Sequence, residues 1–206
     1  MASQRKALQK TSKKVQKPKV QKKPRADAER NRSRLIEVAK AAFADIGPEV
    51  SLEEIARIAG VGIGTLYRHF PTRGAMLEAV YLHEVTQLAE AAARLLETKT
   101  PVEALRAWME LLIDYIATKR IIVAALNSLT GVTAELFASS RVLITSAVSL
   151  LVDRAIAAGD IRRDIDPMDL LYALVGFANA NNGPGWEPSA RRLIDILIAG
   201  VQRESS

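Results

Sequence analysis

Apolar residues recur at intervals of three and four from about Ala28 to Ile46, at Leu35, Val38, Ala39, Ala42, Phe43 and Ile46. That is the period of an amphipathic helix, and Gly47-Pro48 closes it. Ser51 predicts the start of a second helix, with Glu54 three residues on as the partner of a capping box. Leu52, Ile55, Ala56 and Ala59 form its apolar face, and Gly60 supplies the left-handed exit. After Val61 a helix of about two turns runs to Phe70, followed by Pro71 and Thr72. At roughly 100° per residue, Leu66 and Phe70 share one face while Gly64, Thr65, Tyr67 and Arg68 share the other. The first face packs, with Phe43 expected against Leu52, Ile55 and Leu66; the second is offered to a partner.

Thr72 is the expected N-cap of a long helix reaching about Thr98, with Met76, Leu77, Val80, Leu88, Ala92 and Leu95 among its buried positions. Pro101 suits the first position of a helix to about Thr118, and a shorter apolar helix follows from about Arg120 to Leu129. A helix from about Thr133 to Ala158 is apolar around much of its circumference, which predicts a central, largely buried element. Asp166-Pro167 forms an N-cap and N1 pair for a helix to about Asn181. NNGPGWEP is a loop by composition, and a last helix runs from about Pro188 to Arg203. No segment has the pattern of a strand, so the expected fold is all-α with about nine helices and no sequence repeat.

A helix, a short glycine turn and a second helix with a polar outer face make the helix-turn-helix pattern, whose second helix enters the DNA major groove. Helical hairpins are also common structural elements, so the particular residues carry the weight. AGVGIGTLYRHFPTRGAML resembles the recognition segment of TetR-type transcriptional repressors, in which a G-T-L-Y-x-H-F run is typical. The likeness is specific there and looser over the rest of the chain from about Ala28 to Val201. It implies a three-helix DNA-binding domain over residues 26–72 and a helical-bundle effector-binding and dimerisation domain over 73–206. DYIATKR, ELFASSR and AAGDIRRDIDPMDLLYALVG resemble the effector domain of the SbtR-like subgroup of these repressors.

On the second helix of the pair, Arg68 can make a bidentate contact to guanine, Thr65 can bond a phosphate or touch a thymine methyl, and Ile63 can meet bases through apolar contact. By resemblance, Tyr67 and His69 match the family's backbone-contacting aromatic and histidine; local packing is the alternative role for both. Arg73, in the first turn of the next helix, opposes the helix dipole, and the resemblance implies that it holds a DNA phosphate together with the free N–H groups there. Two departures from the family stand out: Gly62 sits where relatives often carry a hydroxyl, and Glu53 and Glu54 open the supporting helix where some carry a basic residue that reads a base. Fewer side chains are left to read sequence, which gives DNA shape a larger share.

The resemblance also implies a homodimer joined through the last two helices, a palindromic double-stranded operator, and a small-molecule effector that releases DNA. Apolar surface on those two helices is consistent with the pairing, although completing a monomer core would use the same surface. Asn127, Ser140, Arg141 and Asn179 are polar residues within apolar helices, with Trp108, Tyr115, Phe137 and Phe177 as walls of an expected effector pocket. Ordinary core packing is the competing role for each aromatic.

Charge changes the picture at one end. The net charge is +6, yet ten of the 29 Lys and Arg lie in residues 1–25, which contain no acid, so the remainder has 19 basic against 23 acidic residues. Residues 1–25 are therefore expected to be a disordered basic arm that either tracks DNA phosphates or simply aids solubility. The chain has no cysteine and two histidines, His69 and His83, neither with a second ligand at metal spacing. It lacks catalytic motifs, and Gly60-Val-Gly62-Ile-Gly64 has neither the spacing nor the preceding strand of a nucleotide loop. No enzyme activity, metal or cofactor is expected. No apolar run approaches the ~20 residues of a membrane span, so a cytoplasmic protein without membrane contact is expected. The alternative function is a helical protein-binding or scaffolding module whose helix pair meets protein instead of DNA.

If the arm follows the backbone, deleting residues 1–24 weakens binding to every duplex alike and flattens the dependence of affinity on salt, as measured by titrating labelled duplexes across a salt series.

Overall fold

The computed structural model describes residues 24–127, 134–181, 183 and 185–203, without side chains at 24–26, 126–127 and 134–135. The basic arm lies outside the described residues. Among the described residues eight α-helices follow one another: α1 (Pro24–Asp45), α2 (Leu52–Ala59), α3 (Ile63–His69), α4 (Arg73–Thr98), α5 (Pro101–Asn127), α6 (Ala134–Ala158), α7 (Pro167–Ala180) and α8 (Trp186–Val201). Among the described residues there is no strand beyond an isolated bridge between Ile161 and Gln202.

Local chemistry accounts for most of the boundaries. The Ser51 hydroxyl accepts the Glu54 N–H at 3.1 Å and starts α2, but only half of the capping box forms, because the Glu54 carboxylate turns to Arg57 at 2.6 and 2.7 Å. Gly60 ends α2 at φ 65°, its N–H reaching the carbonyls of Ala56 and Arg57. Gly62 starts α3 with no side-chain cap. Thr72 accepts from the Ala75 N–H at 3.1 Å to begin α4, and Asp166 accepts from the Met168 N–H at 2.8 Å ahead of Pro167. The last helix begins two residues before the expected Pro188, because Gly185 at φ 80° turns the chain and lets Trp186 bury its ring.

Two expectations change. The helices expected at 101–118 and 120–129 are one continuous 27-residue α5. The Thr118 hydroxyl donates to the Asp114 carbonyl of its own helix at 3.1 Å, and Ile122 and Ala125 extend the buried face beyond it. The expected central, largely buried helix is α6, yet only one stripe of it is covered: Ser140, Ile144, Ala147, Val148, Leu151 and Ala155 are buried, while Val142, Leu143 and Leu150 are exposed. By length and composition Leu136–Ala158 is also apolar enough to cross a membrane, with 33% of its most apolar stretch buried. Three of its hydroxyls, those of Ser139, Ser140 and Thr145, donate to carbonyls of the same helix.

α1, α2 and α3 pack together, and α1 also lies against α4 and α5. α4 packs along α5 and α6, while α5 further contacts α7 and α8, so α5 touches nearly every element beyond the helix pair. Leu35, Ile55, Leu66 and Phe70 are at most 1% exposed and share one continuous core with Met76, Leu77, Trp108 and Leu112. Leu66→Ala empties part of that core and is expected to cost about 2–5 kcal/mol of unfolding free energy, measured by denaturant titration.

Candidate nucleic-acid interface and ligand cavity

Leu66 and Phe70 fix the orientation of α3 by entering the core, and the rest of the helix is turned outward. Gly62, Ile63, Gly64, Tyr67 and Arg68 are exposed, and Thr65 and His69 are half-buried. Ile63 and Tyr67 are 40% and 42% exposed, large apolar surfaces to leave in water on a two-turn helix. Arg32 of α1 stacks over the Phe70 ring at 5.4 Å, and the Arg34 guanidinium lies against the Gly60 turn. Both cations of α1 thus border the same helix pair.

Tyr67 is not free. Its hydroxyl donates to the Glu53 carboxylate at 2.9 Å, tying α3 to the start of α2. Hydrogen bonds from its own backbone N–H and then from Tyr67 hold the Glu53 carboxyl below its ordinary value, and the same bond raises the Tyr67 phenol above its own. The sequence marks Glu53 as a departure from the family, but nothing in a separation of 14 residues announces this tether.

Arg73 has partners within the chain. Its Nη1 donates to the Val50 carbonyl at 2.5 Å, its guanidinium lies 5.7 Å over the Phe43 ring, and its Nη2 is buried with no partner. The side chain clamps the segment before α2 to the start of α4. A basic residue in the first turn of a helix can turn inward or outward, and the helix dipole does not distinguish the two.

A cavity of about 660 Å³ opens between α4, α5, α6 and α7. Of the residues expected there, Tyr115, Phe137, Arg141 and Asn179 line it, as does Ser140. Trp108 does not: it is fully buried, and its indole N–H donates to the Leu88 carbonyl at 2.8 Å, the ordinary use of a core tryptophan. Phe177 is half-buried away from the cavity wall, and the side chain of Asn127 lies outside the described residues. Tyr81 completes the aromatic wall, edge-on to Phe137 at 5.4 Å and 3.4 Å from the Tyr115 hydroxyl. Burial, and then the Tyr81 hydrogen bond, pushes the Tyr115 phenol far above its ordinary value, so it stays neutral.

Lys119, Arg120 and Tyr172 also line the cavity and are absent from the expected set. Lys119 and Arg120 belong to the stretch where a helix break is expected, and the continuous α5 carries them to the cavity wall. The Arg141 guanidinium donates to the Tyr172 hydroxyl at 2.9 Å. No group of three His, Cys, Asp or Glu among the described residues is arranged to hold a metal ion.

α1 is joined to α4 by an ion pair, Lys40 to the nearly buried Glu84 at 2.7 Å, and by a polar contact between the His83 ring and the Glu37 carboxylate at 2.7 Å. Lys40, Phe43 and Ala44 of α1 also face Thr118, Ile121 and Ile122 of α5.

Residues 35–80 match the tetR family of bacterial regulatory proteins, and residues 100–203 match the C-terminal domain described as transcriptional regulator SbtR-like. A TetR transcriptional regulator from Streptomyces coelicolor is 41% identical, with a TM-score of 0.76 covering 84% of this chain and 99% of that one. A TetR regulatory protein from Mycobacterium vanbaalenii is 32% identical, with a TM-score of 0.73 covering 87% and 99% of the two chains. An HTH-type transcriptional regulator of Staphylococcus aureus is 49% identical over 47 residues, which spans 22% of this chain and only 25% of that relative.

Lys40→Met leaves the Glu84 carboxylate without its partner at the α1–α4 junction. Lys40 is 39% exposed and water replaces part of the pair, so the expected loss is about 1–2 kcal/mol, read as a lower denaturation midpoint that Lys40→Arg largely avoids.

Proposed function

The chain belongs to the TetR family of transcriptional regulators, and from that premise we propose that it is a dimeric repressor whose α3 reads a palindromic operator and whose cavity takes a small molecule that releases it. The observation that carries the reading is the face of α3: Leu66 and Phe70 anchor it, while Ile63, Thr65 and Arg68 stand on the side away from the core. Arg68 reads guanine, Thr65 and Ile63 add a thymine or phosphate contact, and Tyr67 and His69 position the helix on the backbone. Arg73 acts from behind as a clamp. On this reading the chain divides into a basic arm over 1–25, a DNA-binding unit over 26–72 and an effector-binding and dimerisation unit over 73–206, acting in the cytoplasm beside the DNA.

Dimerisation through α7 and α8 is supported by the surface they leave open. Ile196 is 67% exposed and Tyr172 51%, flanked by half-buried Val175, Leu193 and Leu197. A two-fold pair of this kind sets two α3 helices at half-sites roughly 34–36 Å apart. The route from cavity to DNA is short. α5 carries Lys119, Arg120 and Val123 to the cavity and Thr118, Ile121 and Ile122 to α1, so a ligand that shifts α5 also moves the base of the helix pair. It changes DNA affinity only as far as it binds one arrangement better than the other.

The test is a duplex titration with the full chain. Salt-dependent, sequence-preferring binding to a palindrome from the organism's own upstream regions is expected, and Arg68→Ala narrows the preferred-to-random affinity ratio by the roughly 1–3 kcal/mol of one bidentate contact. Failure of every such region to bind above random sequence overturns the repressor reading and favours a helix pair that meets protein.

A further inference from the structure

We infer that the cavity takes an amphipathic anion, an apolar or aromatic body carrying a carboxylate. The inference rests on the effector-site reading above and gives it a chemical class. Three cationic side chains, Lys119, Arg120 and Arg141, line the cavity, and no carboxylate lines it among the described residues.

The way α5 treats its other charges sharpens the point. Arg106 is paired with Glu110 and Asp195, and Asp114 with Arg191. Where the same helix meets the cavity this pairing stops. The Lys119 ammonium lies 6.0 and 5.7 Å from the centres of the Tyr115 and Phe137 rings. Arg120 is held over the Trp186 ring at 4.2 Å and donates to the backbone carbonyls of Ala178 and Asn181, which close the end of α7. Arg141, from α6, has the neutral Tyr172 hydroxyl as its partner. Rings, carbonyls and a phenol orient these cations without neutralising them, so the cavity keeps a positive field that an incoming anion meets.

The remaining wall sets the rest of the ligand. Tyr81, Leu112, Ile116, Phe137 and Ile144 form an apolar surface, and 660 Å³ is mid-range for a small-molecule site. A neutral hydrophobe would fill this space and offer the cations no counter-charge. A cationic hydrophobe would be repelled by all three. Arg120 is a structural strut between α5, α7 and Trp186, which leaves Lys119 and Arg141 as the groups able to close on a carboxylate.

Calorimetric titration of the full-length protein with congeners of matched shape tests this. Dodecanoate and naphthoate are expected to bind about tenfold or more tighter than dodecanol and naphthylmethanol, and dodecyltrimethylammonium weakest. Lys119→Gln with Arg141→Gln should erase the carboxylate preference, bringing carboxylates and alcohols to within about threefold of each other. Lys119→Glu with Arg141→Glu should turn the preference toward the ammonium. Alcohols that bind as tightly as the carboxylates, a preference for the ammonium by the unaltered protein, or no carboxylate binding at about millimolar concentration each overturn the assignment. The congener comparison needs no variant, so a misfolded variant does not blunt it. These outcomes leave the repressor reading intact, because the duplex titration decides that separately.

Discussion

Everything that α3 does depends on two side chains behind it. Seven residues cannot hold a helix in water, and Gly62 gives this one no side-chain cap. Leu66 and Phe70, fully buried in the core that α3 shares with α1 and α2, supply the missing stability and at the same time set which face is turned out. Arg73 braces the same corner through the Val50 carbonyl and the Phe43 ring, and Tyr67 ties the outer side to α2 through Glu53. Stability and presentation therefore come from one set of contacts. A DNA-reading face on so short an element must be rigid to be specific, and here that rigidity comes from the core behind it.

The second constraint is the length of α5. Because it runs unbroken from Pro101 to Asn127, it reaches from α8, across the cavity wall, to the foot of α1. The Lys40–Glu84 and His83–Glu37 contacts bind α1 to α4 beside it. A helix is stiff along its axis, and close-packed neighbours pass displacement on instead of absorbing it. That is the physical basis on which a cavity ligand and the helix pair are proposed to sense each other. A break near Thr118, as the local sequence suggests, would have separated the two.

Among the expected cavity residues, the division follows what each side chain meets. Tyr115, Phe137, Arg141 and Asn179 lie at the space between helices, whereas Trp108 is spent on the core and on the Leu88 carbonyl. Polar character within an apolar helix finds residues that need a partner. It does not reveal whether that partner is a ligand, a carbonyl or a neighbouring ring, and Lys119 and Arg120 escape the same reasoning because they sit beside a supposed break.

The sequence by itself determines the helical class, most helix boundaries, and the helix-turn-helix with its family. These depend on short-range chemistry: apolar period, glycine at left-handed turns, hydroxyl and carboxylate caps, and a run of residues specific enough to resemble one family. Tertiary structure alone decides the continuity of α5, the one-sided burial of α6, the inward turn of Arg73, the Tyr67–Glu53 tether, and which side chains surround the cavity. In each case the deciding partner lies on another helix or beyond the reach of one helical turn, so the cause is packing between elements, which no local pattern encodes.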